Sequence, residues 1–186
     1  PVSHLKFTMN DLEDNVRAQI IPPGHRLNPS PYLILIQLNN DNSVSGVNYR
    51  PNLLTAKTIA HEVIHAEMFR KLMSVLDNGG TLLGVSKQNV LDALNNNYPG
   101  MLDYYRRYKN WQHQQMATHY RSTIADILAE FDNNQHSYQF YMDLAWEGLN
   151  HRNIGAWKDA IKQSERDRID QTIKDYIKQH KNQGCE

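Results

Sequence analysis

The chain has 186 residues, of which 40% are hydrophobic, so it can bury one core and is expected to form a single domain over residues 1–186. Its 20 basic and 20 acidic residues balance, which excludes a strong net field for nucleic acid or an anionic membrane, and neither is expected as a partner. The one cysteine, Cys185, excludes a disulfide within the chain and a cysteine-based metal site.

The first predicted elements are a short helix and a hairpin. Residues 10–20 have an amphipathic helical pattern that ends at the Pro22-Pro23-Gly24 break. Residues 32–38 and 44–49 are predicted strands on either side of a turn. The apolar run in the first of these strands is far shorter than the roughly eighteen residues that a membrane-spanning helix needs, so no membrane insertion is expected.

A long buried helix is predicted next. Apolar residues recur on several faces between Leu53 and Leu76, a pattern typical of a helix that does not lie on a surface. Pro51-Asn52 provides a start signal and Asn78-Gly79-Gly80 a stop signal. A further short helix is predicted over residues 86–94.

The long helix contains the sequence His61-Glu62-Val63-Ile64-His65. Residues four apart lie on one face of a helix, so both imidazoles can bind the same metal ion. Glu62 is placed to take a proton from a water on that metal. The alternative is a pair of core histidines hydrogen-bonded to backbone. Two buried imidazoles at ligand spacing on either side of a glutamate are unfavourable without a metal, which favours the metal site.

A catalytic zinc site has three protein ligands and one open position, so a third ligand is expected elsewhere. Residues 110–132 predict a second helix, and its apolar face, followed backwards in steps of three or four, reaches His113. His119 falls on the polar face and is expected to meet solvent. His113 is the predicted third ligand, with Asp126, Glu130 and His119 as the open alternatives.

Other side chains are candidates for supporting roles. The hydroxyl of Tyr105 or Tyr120 could stabilise a developing oxyanion, although tyrosines more often pack with the hydroxyl satisfied at the surface. Ligand imidazoles usually donate their second N–H to a carboxylate or carbonyl. Asp126, Asp132 and Asp143 are the candidates for that acceptor.

The last third of the chain offers two possible surfaces. Basic residues from Lys158 to Lys178 alternate with acidic ones, which is typical of a solvated charged face and not of a nucleic-acid site. A group of aromatic side chains is expected to pack in the core, with a partner-docking surface as the alternative: Tyr138, Phe140, Tyr141, Trp146 and Trp157.

Four segments together resemble the SprT-like zinc metallopeptidase domains found at the C-termini of Bacteroidota proteins. They are AKTIAHEVIHA, NYPGMLDYYRRY, HQQMATHYRSTIADILAEFD, and YMDLAWEGL with the later Trp157. The resemblance implies an α+β, zincin-like fold, mostly helical, with a small antiparallel sheet packed on the HExxH helix. It also implies one Zn²⁺, with His113, which opens the H-x-x-M-A segment, as third ligand. A chain of this kind is expected to be part of a longer protein, and export from the cell is one open expectation.

The expected function is zinc-dependent hydrolysis of peptide bonds in a peptide or protein substrate, with Glu62 as general base. If the zincin likeness extends to the cleft, residues 43–48 form an edge strand that pairs with an extended substrate; an ordinary hairpin is the alternative. Two other functions stay open. One is a toxin or effector of narrow target range that a cognate immunity protein neutralises. The other is a zinc-stabilised interaction domain without turnover, against which the intact Glu62 argues.

Overall fold

The computed structural model describes residues 4–21, 23, 27–30, 33–77 and 112–182, and for residues 71–77 it describes the backbone only. This part of the chain has an α+β architecture, as predicted. It contains three strands, five α-helices and one π-helical turn. The predicted helix over residues 86–94 and Tyr105 lie outside the described residues.

The three strands form one mixed sheet in the order β1-β3-β2. They are β1 (His4–Asn10), β2 (Ala18–Ile21) and β3 (Leu33–Asn39). The central strand β3, which the sequence predicted, pairs in parallel with β1 and antiparallel with β2. The prediction of an antiparallel sheet was therefore wrong. Strand β1 was not predicted, although the alternation of Leu5, Phe7 and Met9 in the sequence is typical of a strand.

The two segments that flank β3 also differ from their predictions. Residues 10–20 are not a helix, because they contain the end of β1, a turn and most of β2. Residues 44–49 form turns instead of a strand, so they offer no edge for a substrate. The Asp41 carboxylate accepts hydrogen bonds from the backbone N–H and the hydroxyl of Ser43, a local arrangement that competes with strand pairing. Gly46 completes this turn, since a Cβ there would lie 1.9 Å from the Asp41 carbonyl oxygen.

The long helix α1 (Asn52–Asp77) lies between two apolar cores. One side of α1 packs on the sheet, where Ala66 is buried with three residues of β3: Ile34, Ile36 and Leu38. The opposite side presents Leu54, Ile64 and Met68 to a larger core made with the other helices. Burial on two sides explains why the apolar pattern of α1 is not confined to one face. The helix begins at Asn52, as the Pro51-Asn52 start signal predicted, and the Asn78-Gly79-Gly80 stop signal lies outside the described residues.

The second metal-site segment is a helix with a change of winding. Helical residues 112–115 lead into the π-helical turn Met116–Tyr120, and α2 (Arg121–Phe131) follows directly. A π-turn accommodates one residue more than an α-turn. Buried side chains within the π-turn and after it nevertheless line the same core: Met116, Ala117, Ile124, Ala125 and Leu128.

Three helices complete the described part: α3 (Tyr138–Leu144), α4 (Gly155–Lys158) and α5 (Gln163–His180). The Ser137 hydroxyl accepts a hydrogen bond from the backbone N–H of Phe140 and caps α3. Arg168 on α5 binds the buried Asp143 carboxylate and joins α5 to α3. The outer face of α5 is charged and exposed, as predicted. None of the described helices is long and apolar enough to cross a bilayer.

Candidate metal centre

The structure brings His61 and His65 of α1 together with His113, and all three side chains are buried. The Nε2 atom of His61 lies 3.0 Å from that of His65 and 3.3 Å from that of His113. These are the three ligands that the sequence predicted. Their convergence requires α1 and the helical segment before the π-turn to pack side by side, which the shared core provides.

The spacing of these nitrogens fits a metal ion. Tetrahedral coordination at about 2.0–2.1 Å places ligand nitrogens about 3.3 Å apart. Hydrogen bonding does not account for the arrangement equally well. The Nε2 atom of His61 contacts two other ring nitrogens, yet it carries either one proton or one lone pair and cannot satisfy both. Three neutral imidazoles are a donor set that suits zinc and other first-row divalent ions.

His65 is held in place by Gln112. The Nδ1 atom of His65 lies 2.6 Å from Oε1 of Gln112, whose side chain is buried. An amide oxygen only accepts, so His65 donates from Nδ1 and keeps the lone pair of Nε2 directed at the centre. Gln112 was not among the residues predicted from the sequence. Its position directly before a predicted ligand was the only local signal.

Glu62 lies on α1 between the two ligands of that helix and is half-buried. Partial exposure leaves the side chain accessible from solvent, which a base that handles a water molecule needs. Consecutive helical residues differ by about 100° in direction. The Glu62 side chain therefore leaves the helix in a different direction from His61, as expected for a group beside the metal and not bound to it.

The alternative third ligands lie on the helical segment that follows His113, in the π-turn and in α2. His119 and Glu130 are exposed. Asp126 is also exposed and accepts a hydrogen bond of 2.9 Å from the Tyr138 hydroxyl. Tyr120 is half-buried and packs against the helical core.

The two other candidate acceptors are also engaged away from the three histidines. Asp132 accepts a hydrogen bond of 2.6 Å from the Tyr141 hydroxyl. Asp143 pairs with Arg168 and also accepts from the Gln139 amide. The acceptor that the structure shows for a ligand imidazole is thus the Gln112 amide, which was not among the predicted carboxylates.

A fourth histidine lies close to the centre. The His151 ring contacts the His113 ring edge to face, with 5.8 Å between ring centroids. His151 follows α3 in the chain and is half-buried. It is not part of the group of three whose nitrogens converge.

A buried ionic cluster lies beside the metal centre. The Glu147 carboxylate lies 3.2 Å from Arg17, 2.5 Å from Arg50 and 3.4 Å from Lys57. Burial alone would raise the pKa of Glu147, but attraction by Lys57, Arg50 and Arg17 outweighs it and lowers the pKa to about 2. Burial lowers the pKa of Lys57 to about 8 despite the attraction of Glu147. The cluster links α1 to the start of β2 and to the segment after α3.

Gly148 connects this ionic cluster to the metal centre. Its φ of 81° is in the left-handed region that favours glycine. A Cβ at this position would lie 3.2 Å from Lys57 Nζ, 3.8 Å from His61 Cε1 and 3.9 Å from Arg17 Nη1. Two cationic groups and a ligand imidazole therefore surround one point on the backbone. Sequence patterns did not reveal this arrangement, because its members come from three distant segments.

Comparison of the chain with protein-family models, curated proteins and solved structures gives no match.

Proposed function

We propose that the protein is a zinc-dependent metallopeptidase that hydrolyses peptide bonds with Glu62 as general base. The observation that carries the proposal is the convergence of three imidazole nitrogens at the spacing of a zinc ion, two of them on the helix that also bears Glu62. Three neutral nitrogen ligands are typical of catalytic zinc, as in several hydrolytic metalloenzymes. The ionic cluster and Gln112 are consistent with a site whose geometry is fixed by surrounding contacts.

The ligand count favours a catalytic site over a purely structural one. Structural zinc sites usually have four protein ligands, whereas catalytic sites have three and leave a position for water or substrate. Among the residues that the structure describes, no fourth histidine, cysteine or carboxylate joins the group of His61, His65 and His113. Glu62, which directly follows His61 in α1, supplies a base that a structural site does not need.

When bound, a zinc ion would lower the pKa of a coordinated water toward neutrality and polarise the carbonyl of a scissile amide. The residues of the chain perform the remaining tasks. His61, His65 and His113 hold the ion through Nε2, and Gln112 keeps His65 in the tautomer that this requires. Glu62 accepts the proton of the attacking water and delivers it to the nitrogen of the leaving amine.

The resemblance to SprT-like domains supports the same activity and adds a zincin-like packing of the sheet and helices to the proposal. The competing idea of a docking domain without turnover depended on exposed aromatic residues. Tyr141, Trp146 and Trp157 are buried, and Phe140 packs on the core. Only Tyr138 of that group is exposed. A toxin of narrow target range would use the same chemistry, so it is a variant of this proposal.

The test is proteolysis of a denatured protein mixture by the zinc-loaded chain, with new peptide ends identified by mass spectrometry. We expect new ends that disappear with a chelator and with Glu62→Gln, while Glu62→Gln keeps its zinc. Glu130→Gln is the matched control, because Glu130 is an exposed glutamate on α2, and it should leave activity unchanged. Full activity of Glu62→Gln would show that the base is wrongly assigned. To include a narrow-target toxin, the same variants are compared for growth inhibition on expression in a bacterial host.

A further inference from the structure

The buried ionic cluster beside the metal centre carries more positive than negative charge. Among the described residues, Glu147 is the only carboxylate that pairs with Arg17, Arg50 or Lys57. The side chains of Arg50 and Lys57 are both 3% exposed, so water screens little of their charge. Buried charges are unfavourable unless they are matched. The cluster is thus short of an anion.

Not every polar atom of the cluster has a hydrogen-bond partner among the described residues: Glu147 Oε2 is buried without one and lies 3.4 Å from Lys57 Nζ. Nε of Arg50 is buried and has no hydrogen-bond partner, although the two terminal nitrogens of the same guanidinium contact Glu147 and the Val44 carbonyl. The crevice between Arg50, Ser45 and Thr55 is too narrow to admit even a water molecule. An additional acceptor cannot enter there, and it must approach from the open side of the cluster.

The open side is at Arg17. Its side chain is 38% exposed, in contrast to the 3% of the other two cations. One terminal nitrogen, Nη2, contacts Glu147, and the other, Nη1, lies beside Gly148 near the ligand His61. A Cβ at Gly148 would lie 3.2 Å from Lys57 Nζ, 3.8 Å from His61 Cε1 and 3.9 Å from Arg17 Nη1, so these three groups meet closely at the Gly148 backbone. An anion that contacts Arg17 from its solvent-exposed side therefore lies near the candidate metal ligand His61.

We propose that Arg17, backed by Lys57 and Arg50, binds a carboxylate of the substrate close to the scissile bond. This assignment rests on the proposed peptidase function, because it places the anion relative to a bond that the metal centre cleaves. A guanidinium is always charged and forms strong, oriented hydrogen bonds with a carboxylate. Peptides carry such a group at the chain terminus or on an aspartate or glutamate side chain, and both sources have the same chemistry.

The substrate carboxylate would supply the charge that the cluster lacks. It would also fix the position of the peptide, since one end is held at Arg17 while the scissile carbonyl reaches the metal centre. Solvent ions screen the buried charges of Arg50 and Lys57 only weakly. These charges therefore keep the electrostatic potential at Arg17 positive. A metal ion at the three histidines would add to this potential. The site therefore selects peptides that are anionic near the cleaved bond.

The test compares three probes with the zinc-loaded chain: N-acetyl-tetraalanine with a free carboxylate, its C-terminal amide, and the amide with aspartate as the last residue. Binding is measured by calorimetry with the Glu62→Gln protein, and hydrolysis with the unaltered protein. We expect at least one of the two carboxylate peptides to bind about tenfold more tightly than the neutral amide. The tighter of the two identifies the source of the carboxylate.

Arg17→Gln should abolish this preference without changing zinc content. Arg70→Gln is the matched control, since Arg70 is a partly exposed arginine on α1 paired with Glu67, and it should keep the preference. Carboxylate-dependent binding without hydrolysis of any peptide would support the anion site and count against the peptidase function. Hydrolysis that is equal for acid and amide would leave the peptidase function intact and overturn the anion site. Equal binding of all three probes, or no measurable binding of any of them at millimolar concentration, also overturns it.

Discussion

His65 of α1 donates a hydrogen bond from Nδ1 to the side-chain oxygen of Gln112, with 2.6 Å between the two atoms. The two residues are 47 positions apart in the chain, and Gln112 directly precedes His113. Gln112 thus orients the candidate ligand His65 on the first helix and is the sequence neighbour of the candidate ligand His113 on the second. This contact connects the predicted metal site to the packing of the two helices.

The first prediction concerns this hydrogen bond. Gln112→Leu should weaken zinc binding by about 10- to 100-fold, because the partners that orient metal-bound imidazoles typically contribute that much. Zinc affinity is measured by competition with a chelating dye. Gln115→Leu, a half-buried glutamine on the same segment, is the control and should bind zinc normally. Unchanged affinity in the Gln112 variant would mean that the contact does not orient His65.

The second prediction separates two histidines on one helical segment. His113→Ala should lose more zinc affinity than Gln112→Leu, because it removes a ligand and not only the group that orients one. His119→Ala should retain zinc, since His119 is exposed and outside the group of three. The measurement is zinc per chain after dialysis, with circular dichroism as a check on folding. Equal zinc content in His113→Ala and His119→Ala would exclude His113 as a ligand.

The third prediction addresses Glu147. Glu147→Gln should reduce the free energy of unfolding by about 3–5 kcal/mol at pH 7, because it leaves Arg50 and Lys57 buried without a counter-charge. The ordinary pKa of this carboxyl is 4.5, and its pKa in the fold is about 2. Its stabilisation is therefore complete above pH 4.5 and is lost as the pH falls toward 2.

Urea unfolding of the unaltered chain and of Glu147→Gln over this pH range measures the effect. The two stabilities should converge as the pH falls. Glu165→Gln, which changes an exposed residue of α5, should follow the unaltered chain throughout. A constant difference between the unaltered chain and Glu147→Gln from pH 7 to pH 3 would contradict the lowered pKa.

The fourth prediction concerns alkaline pH. The pKa of Lys57 is about 8 in the fold against an ordinary value of 10.5, so the unfolded chain binds more protons between these values. The free energy of unfolding should therefore gain a rising contribution from pH 8 to pH 10.5. Lys57→Met should lack this contribution, while Lys158→Met, at an exposed lysine, should retain it. Identical pH profiles for the Lys57 variant and the unaltered chain would contradict the lowered pKa of Lys57.

The parts of the site that the sequence predicted depend on local patterns. The HExxH spacing, the apolar faces and the start signal of α1 are all defined by residues close in sequence. His113 was found in the same way, from the face of a second helix. Tertiary packing then placed its Nε2 atom 3.3 Å from that of His61.

The parts that sequence patterns missed depend on contacts between distant segments. Arg50 and Glu147 are 97 residues apart, and no local pattern indicates that they meet. The parallel pairing of β1 with β3 likewise depends on partners far along the chain. Residues 44–49 were mistaken for a strand because their composition resembles one. The Asp41 carboxylate and Gly46 stabilise turns there instead.

The proposed function depends on one zinc ion held by His61, His65 and His113. Anomalous diffraction recorded on both sides of the zinc absorption edge, from crystals of the zinc-loaded chain, tests it most directly. We expect a single zinc peak about 2.1 Å from each of the three Nε2 atoms, with one position left for water. A zinc-loaded chain whose peak lies on other residues, with none at these three histidines, would contradict it.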